Sequence, residues 1–263
     1  MTIAPESQRR PGKFIAIVLG VIVVIGVIVW ALFVRSTPVE TPKPMAGASP
    51  APLFSPSPSP LATASAEQLA AATRAAWPNG AALTDEDGTR YRFGDGKLVL
   101  APFGPVLVSE GKAVDPAHVT AGRLDVTYLA PAGEGFTVAK RFPKAVEAGS
   151  FGQMEGWSVS TNFADVPVVT AEGGFTGQGY TCGYTVLTAL TPDKPVELAQ
   201  VQTLYDDTGA KGDAGQSISG KIAQIDKGKG FVVHYTGAAT FDDRYVMKDG
   251  RYVLQGSSRL PQC

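Results

Sequence analysis

Two histidines, two cysteines and several clustered carboxylates are the groups in this 263-residue chain that could do chemistry. Neither His118 nor His234 has a metal-ligand spacing such as His-Glu-x-x-His, and neither lies near a cysteine in sequence, so the pattern implies no metal centre and no cofactor. His118 follows Asp115 in the turn Asp115-Pro-Ala-His118, and His234 precedes Asp242 and Asp243. Each could act as the base of a triad with a distant serine, because triads are defined by geometry and not by sequence order. No Gly-x-Ser-x-Gly elbow supports that reading, since the closest run, Gly215-Gln-Ser-Ile-Ser-Gly220, misses the spacing by one. The acidic turns at Asp85-Glu-Asp87-Gly88 and Asp206-Asp207-Thr-Gly209 resemble fragments of calcium loops, but neither ends in the bidentate Glu that such a loop needs. Asp and Gly are also ordinary turn formers.

The most distinctive segment runs from Glu172 to Tyr184, where five glycines interleave with Phe175, Tyr180 and Tyr184. Aromatic rings on a glycine-rich loop can stack on sugars or on a partner's side chains, and Gln178 adds an amide between Phe175 and Tyr180. Phe175, Gln178 and Tyr180 are therefore the candidate binding residues. A competing reading is packing: Tyr180, Cys182, Tyr184 and Val186 alternate at period two, as the buried face of a strand does. Two cysteines are too few for a disulfide scaffold, but Cys182 and Cys263 could form one bridge in an oxidising compartment, tying the chain end to a core strand.

The elements that would position these groups are short strands. After Gly80, runs rich in Val, Thr, Tyr and Phe recur between clusters of Gly, Pro and Asp, which predicts strands at 89–93, 97–101, 106–110, 123–130, 136–142, 157–163, 166–171, 180–190, 196–205, 218–225, 231–236, 244–247 and 251–255. The gaps are hairpin-sized and hold no helical crossover, so the expected fold is all-β, an antiparallel sandwich or barrel-like domain. One short helix precedes it. Ser65 with Gln68 makes a capping-box pattern ahead of an alanine-rich run that Pro78 and Gly80 stop, and Leu69, Ala72, Ala76 and Trp77 fall near one face. Two segments, 89–100 and 243–254, match at Arg, Tyr, Asp, Gly, Val and Leu, and both read as hairpins turning on Asp95-Gly96 and Asp249-Gly250. A second pair of similar turns lies at Gly133-Glu-Gly and Gly228-Lys-Gly. The two kinds occur in opposite order in the two halves, which favours reuse of one hairpin sequence over a tandem duplication.

Ahead of the β domain, residues 64–263, the composition changes twice. Residues 35–63 carry eight prolines between Ser, Ala and Thr, a polyproline-prone spacer whose stretch from Ser36 to Thr63 could reach roughly 85 Å at about 3.1 Å per residue. Residues 14–34 are uncharged and strongly apolar, and as a helix they would span about 31 Å, the thickness of a hydrocarbon core. The stretch is longer than a signal-peptide core and no small-x-small cleavage site follows it, so a retained single-pass anchor is expected. Arg9, Arg10 and Lys13 in the tail, residues 1–13, put the N-terminus in the cytoplasm and the domain outside. Ala16 and Gly20 form one small-xxx-small pair, which leaves the oligomeric state open. The formal net charge is −1, and no basic stripe argues for nucleic acid.

The expected function is thus a membrane-anchored extracytoplasmic domain that binds a partner protein or an envelope glycan, its lipid contact made through residues 14–34. An envelope hydrolase using His118 or His234 is the rival reading, and a purely structural spacer the third.

Overall fold

The computed structural model describes residues 61–263, so the predicted tail, anchor and nearly all of the spacer lie outside the described residues. No helix among the described residues is long and apolar enough to cross a membrane. The described chain is mostly β: strands β1 (Ala62–Thr63), β2 (Ala82–Thr84), β3 (Arg90–Ala101), β4 (Gly104–Val114), β5 (Gly122–Ala132) and β6 (Gly135–Ala148) make one antiparallel sheet. The second sheet has eight strands, β7 (Gly156–Ser160), β8 (Val168–Gly177), β9 (Tyr180–Leu190), β10 (Pro195–Asp206), β11 (Ser217–Asp226), β12 (Gly230–Gly237), β13 (Phe241–Lys248) and β14 (Arg251–Leu254), joined in sequence order. Strand β1 pairs Ala62 with Leu100 and Thr63 with Val99, so sheet structure begins just ahead of residue 64.

Helix α1 (Ala66–Ala76) starts where its cap dictates. Gln68 N donates to Ser65 Oγ at 3.2 Å while Ser65 N donates to Gln68 Oε1 at 2.9 Å, so two amide donors that the first turn would leave unpaired are satisfied. Its buried face, Ala72 and Ala76 with Trp77 just beyond, packs on Tyr91, Phe93, Leu98, Leu107 and Leu129 of the six-stranded sheet. Small alanines let the helix backbone approach the sheet closely.

Strand β5 is covered on both faces. Leu124, Val126 and Tyr128 join Val106, Val108 and Val146 in a cluster that also contains Val169, Ala171, Val186 and Leu190 of the eight-stranded sheet. The alternate positions Arg123, Asp125 and Thr127 are equally buried, and their charges are answered locally. Arg123 Nη2 donates to Asp85 at 2.7 Å and to Glu147 at 3.3 Å, and its guanidinium lies 3.5 Å from the Tyr91 ring centre. Asp125 accepts from the Thr127 hydroxyl at 2.6 Å and from Arg141 Nε at 2.8 Å, while the Arg141 guanidinium sits over Trp77 at 3.6 Å. Burial nonetheless holds the Asp125 carboxyl above its ordinary pKa.

The eight-stranded sheet curls. β10 meets β11 through only Leu204 to Asp206, and beyond that corner the sheet turns back until Arg251 of β14 pairs with Glu197 of β10. Aromatic rings fill the bend. Phe231 stacks on Tyr245 at 4.9 Å and meets Phe163 and Tyr252 edge-on, and the Tyr252 hydroxyl donates to the Phe163 carbonyl. Cys182 of β9 and Cys263 are joined by a disulfide whose Cα atoms are 6.1 Å apart.

The two Asp-Gly pairs behave differently. Asp249 and Gly250 both have positive φ, 51° and 80°, and close the β13–β14 hairpin between Lys248 and Arg251, the geometry that matches strand twist. The hairpin expected at Asp95-Gly96 does not exist: β3 runs through it as one strand, with only a register shift between Phe93 and Gly96. The physical reason lies across the sheet. β4 continues the pairing on both sides of the shift, from Arg90 with Val114 to Ala101 with Gly104, and the turn falls instead at Pro102-Phe103. A side chain at Gly96 would press on Leu107, Ser109 and the Val108 carbonyl, so this glycine serves close packing and not a turn.

Candidate binding surface

The glycine-rich segment from Glu172 to Tyr180, expected as a loop, is a β-hairpin. Strand β8 extends to Gly177, which pairs with Tyr180 of β9, and Gln178 and Gly179 form a two-residue turn with φ of 54° and 82°. Gly179 is required there on two counts, its positive φ and the backbone of Ala210, which a Cβ would meet at 2.5 Å. The contact seats the hairpin tip on the short helix α2 (Thr208–Lys211).

The three sequence-predicted binding residues thus lie on one hairpin but do not share one depression. Phe175 is 45% exposed and stacks on Tyr184, with ring centres 6.4 Å apart and planes nearly parallel. Gln178 is exposed at the tip. Tyr180 is 37% exposed, its ring 6.4 Å from that of buried Tyr205. Phe175 alone of the three lines a concavity of about 440 Å³ with His118, Val119, Gly149, Ser150 and Thr176. Tyr184, by contrast, is half-buried, and burial raises its hydroxyl pKa.

Two residues that sequence reasoning passed over complete this surface. Val119 is 88% exposed and Phe151 57% exposed, and Phe151 stacks on the His118 ring at 4.6 Å. Phe151 also has a positive φ of 50°, a conformation that a bulky residue adopts only when its surroundings impose it. Here they do: Phe151 N donates to His118 O, Gly152 N to Thr120 O at 2.7 Å, and Ala113 N to Gly152 O at 2.9 Å. The flanking Gly149 and Gly152 bracket an aromatic residue just as glycines bracket Phe175, and that composition is the signal that could have found it. Three exposed apolar side chains thus lie in the neighbourhood of His118, Phe151 against its ring and Val119 and Phe175 beside it in the concavity.

The histidines are set apart from each other. His118 sits in this apolar surface, and among the described residues no carboxylate or hydroxyl is hydrogen-bonded to its ring. His234 of β12 is half-exposed, with Nδ1 2.6 Å from Asp242 Oδ1 on β13. The acidic turns are occupied by protein donors. Asp207 accepts from Lys211 Nζ at 2.6 Å, from the Gln216 amide at 2.6 Å and from the Tyr205 hydroxyl at 3.0 Å; the lysine contact above all holds its carboxyl below the usual range. Asp85 and Asp87 both accept from Thr89 N. No group of three or more potential metal ligands converges among the described residues.

No family model, curated protein or solved structure matches this chain.

Proposed function

We propose that the chain is a membrane-anchored extracytoplasmic binding protein, and that its sandwich-like β domain captures a partner protein through the surface around Phe175. The observation that carries this reading is one concavity lined by His118 and the well-exposed Val119 and Phe175, with the exposed Phe151 stacked on the same His118 ring. Exposed apolar side chains that cluster and are held by strained or glycine-dependent backbone are a feature of interaction surfaces, where their burial drives association. A protein partner suits this surface better than an envelope glycan, because the rim offers few charged or amide groups to a sugar. The apolar cluster common to both sheets supports the sandwich reading of the domain, and the basic tail ahead of residues 14–34 supports its placement outside the cytoplasm.

The test is crosslinking in intact cells with the wild-type chain and with Phe175→Ala and Phe151→Ala. Capture of a defined protein that falls several-fold in both variants is the expected result. Phe175 is half-exposed, so its truncation should cost about 1.5 kcal/mol or less of stability, against about 3–5 for a buried Phe. Unchanged capture, capture of glycan alone, or a large drop in melting temperature rejects the surface. The same cells converted to spheroplasts should lose the domain to added protease, and full protection would reject the external placement.

A further inference from the structure

The curl of the eight-stranded sheet leaves a cleft of about 690 Å³ between its two arms, on the side where the C-terminal segment crosses. Tyr184 of β9 and Gln200 and Gln202 of β10 line one wall, and Tyr235, Asp243 and Tyr245 of β12 and β13 line the other. The walls are tied together: the Tyr235 hydroxyl donates to the Gln202 carbonyl at 2.7 Å, and Gln202 Nε2 donates to the Pro261 carbonyl at 2.9 Å.

Asp243 is the anomaly in this cleft. It is 6% exposed, and its Oδ2 is buried with no hydrogen-bond partner. No Lys, Arg or His lines the cleft. The basic residues around it in sequence are engaged or turned away: Arg244, next along β13, and Lys248 at its end are exposed, Arg251 pairs with Glu197, and Arg259 lies over the Phe241 ring and donates to Thr240 O. A buried carboxylate oxygen without a donor is costly, and buried charges elsewhere in proteins are normally paired.

We propose that this cleft binds an organic ammonium group, with Asp243 as its counter-charge and the tyrosine rings as its walls. The cleft's one formal charge is negative, and Tyr184, Tyr235 and Tyr245 among its lining are of the aromatic type whose quadrupoles attract cations. Burial and the neighbouring Asp243 push the Tyr245 hydroxyl up to about 12, so it remains a neutral donor around neutral pH. Neutral amides and hydroxyls, including Gln200 and Ser257, complete the lining without competing for the carboxylate. A neutral polyol could fill the space but would leave the charge unanswered. The inference concerns a site other than the Phe175 surface and stands without it.

The experiment is calorimetric titration of the full chain in detergent with three probes: 1,5-diaminopentane, N-acetyl-lysine methylamide and 1,5-pentanediol. Both amines should bind, the diol at least tenfold more weakly. Asp243→Asn, which keeps the shape and removes the charge, should weaken amine binding at least tenfold with no loss of melting temperature. Tighter binding of the lysine derivative than of the diamine assigns the cleft to a peptide-borne lysine, and the reverse order to a free amine. Equal binding of diol and diamine, no binding of either amine, or full amine affinity in Asp243→Asn overturns the proposal. Should Asp243→Asn not fold, Tyr245→Leu decides: several-fold weaker diamine binding supports the site, and unchanged binding overturns it.

Discussion

Two buried sites, one in each sheet, treat charge in opposite ways. In the six-stranded sheet Arg123 and Asp125 are buried on β5, and each has an oppositely charged partner and an aromatic ring close by: Asp85, Glu147 and Tyr91 for one, Arg141 backed by Trp77 for the other. In the eight-stranded sheet Asp243 is also buried and has no partner for Oδ2. A charge that the fold itself neutralises contributes to architecture. One left unanswered at the wall of a cleft is available to something else. Arg123 is not perfectly satisfied either, since Nε and Nη1 lack hydrogen-bond partners, but its charge is compensated twice over.

The sharpest way to break this contrast is Arg123→Ala. Removing one member of a buried ion pair strands the others, and the expected loss is about 3–5 kcal/mol, read as a fall in the denaturant midpoint. A loss below about 1 kcal/mol would mean that the buried charges of this sheet are no more structural than Asp243. Next in size is the covalent tie of the other sheet. Cys182 and Cys263 are 81 residues apart in sequence, and replacing both with Ser should cost about 2–4 kcal/mol, with the loss matched by reduction of the wild-type chain. If the double variant melts like the wild type, the curl is held by its aromatic contacts alone.

The smallest effect compares two buried carboxylates as pH changes, Asp125 of β5 and Asp207, which follows β10 at the start of α2. Asp207 has a folded-state pKa below its unfolded one, so it contributes stability above the unfolded value of about 3.9 that is lost as pH falls through the folded value. Asp125 is shifted the other way, so its contribution is present below about 3.9 and lost as pH rises through its folded value. Melting temperatures measured between about pH 6 and pH 2 should therefore decline less steeply on acidification in Asp207→Asn than in the wild type, and more steeply in Asp125→Asn. Parallel curves for all three proteins would remove the distinction.

Local chemistry was readable in the sequence wherever a few neighbouring residues decide the outcome. The Ser65 and Gln68 cap fixes the start of α1, and Asp249-Gly250 forms the turn its backbone preferences favour. The identical pair at Asp95-Gly96 is overruled by strand β4 alongside it, a long-range pairing that no local pattern encodes. The alternation Arg123-Leu-Asp-Val-Thr-Tyr128 is that of a strand with one solvated face, yet the polar face is buried as well, met by Asp85, Tyr91, Glu147 and Arg141, because what covers a sheet face is a tertiary outcome. For the candidate surface, Phe175 was visible as an aromatic residue set among glycines. Val119 and Phe151 come from separate turns, 56 and 24 residues before Phe175, and only the fold gathers them. The lone Asp243 was indistinguishable from its neighbour Asp242, which faces outward and pairs with His234.

The strand order carries one further consequence, for how the molecule assembles. In the eight-stranded sheet every neighbour in space is also the neighbour in sequence, from β7 through β14, and β3 to β6 follow the same rule. Such a meander forms hairpin by hairpin as a chain emerges N-terminus first, with each new strand finding its template already in place and little loop entropy lost at each step. Edges exposed along the way are brief, because the next strand to appear is the one that covers them. Only the union of Cys182 with Cys263 must wait for a residue beyond every strand, so oxidation would seal a sheet whose pairing is already complete.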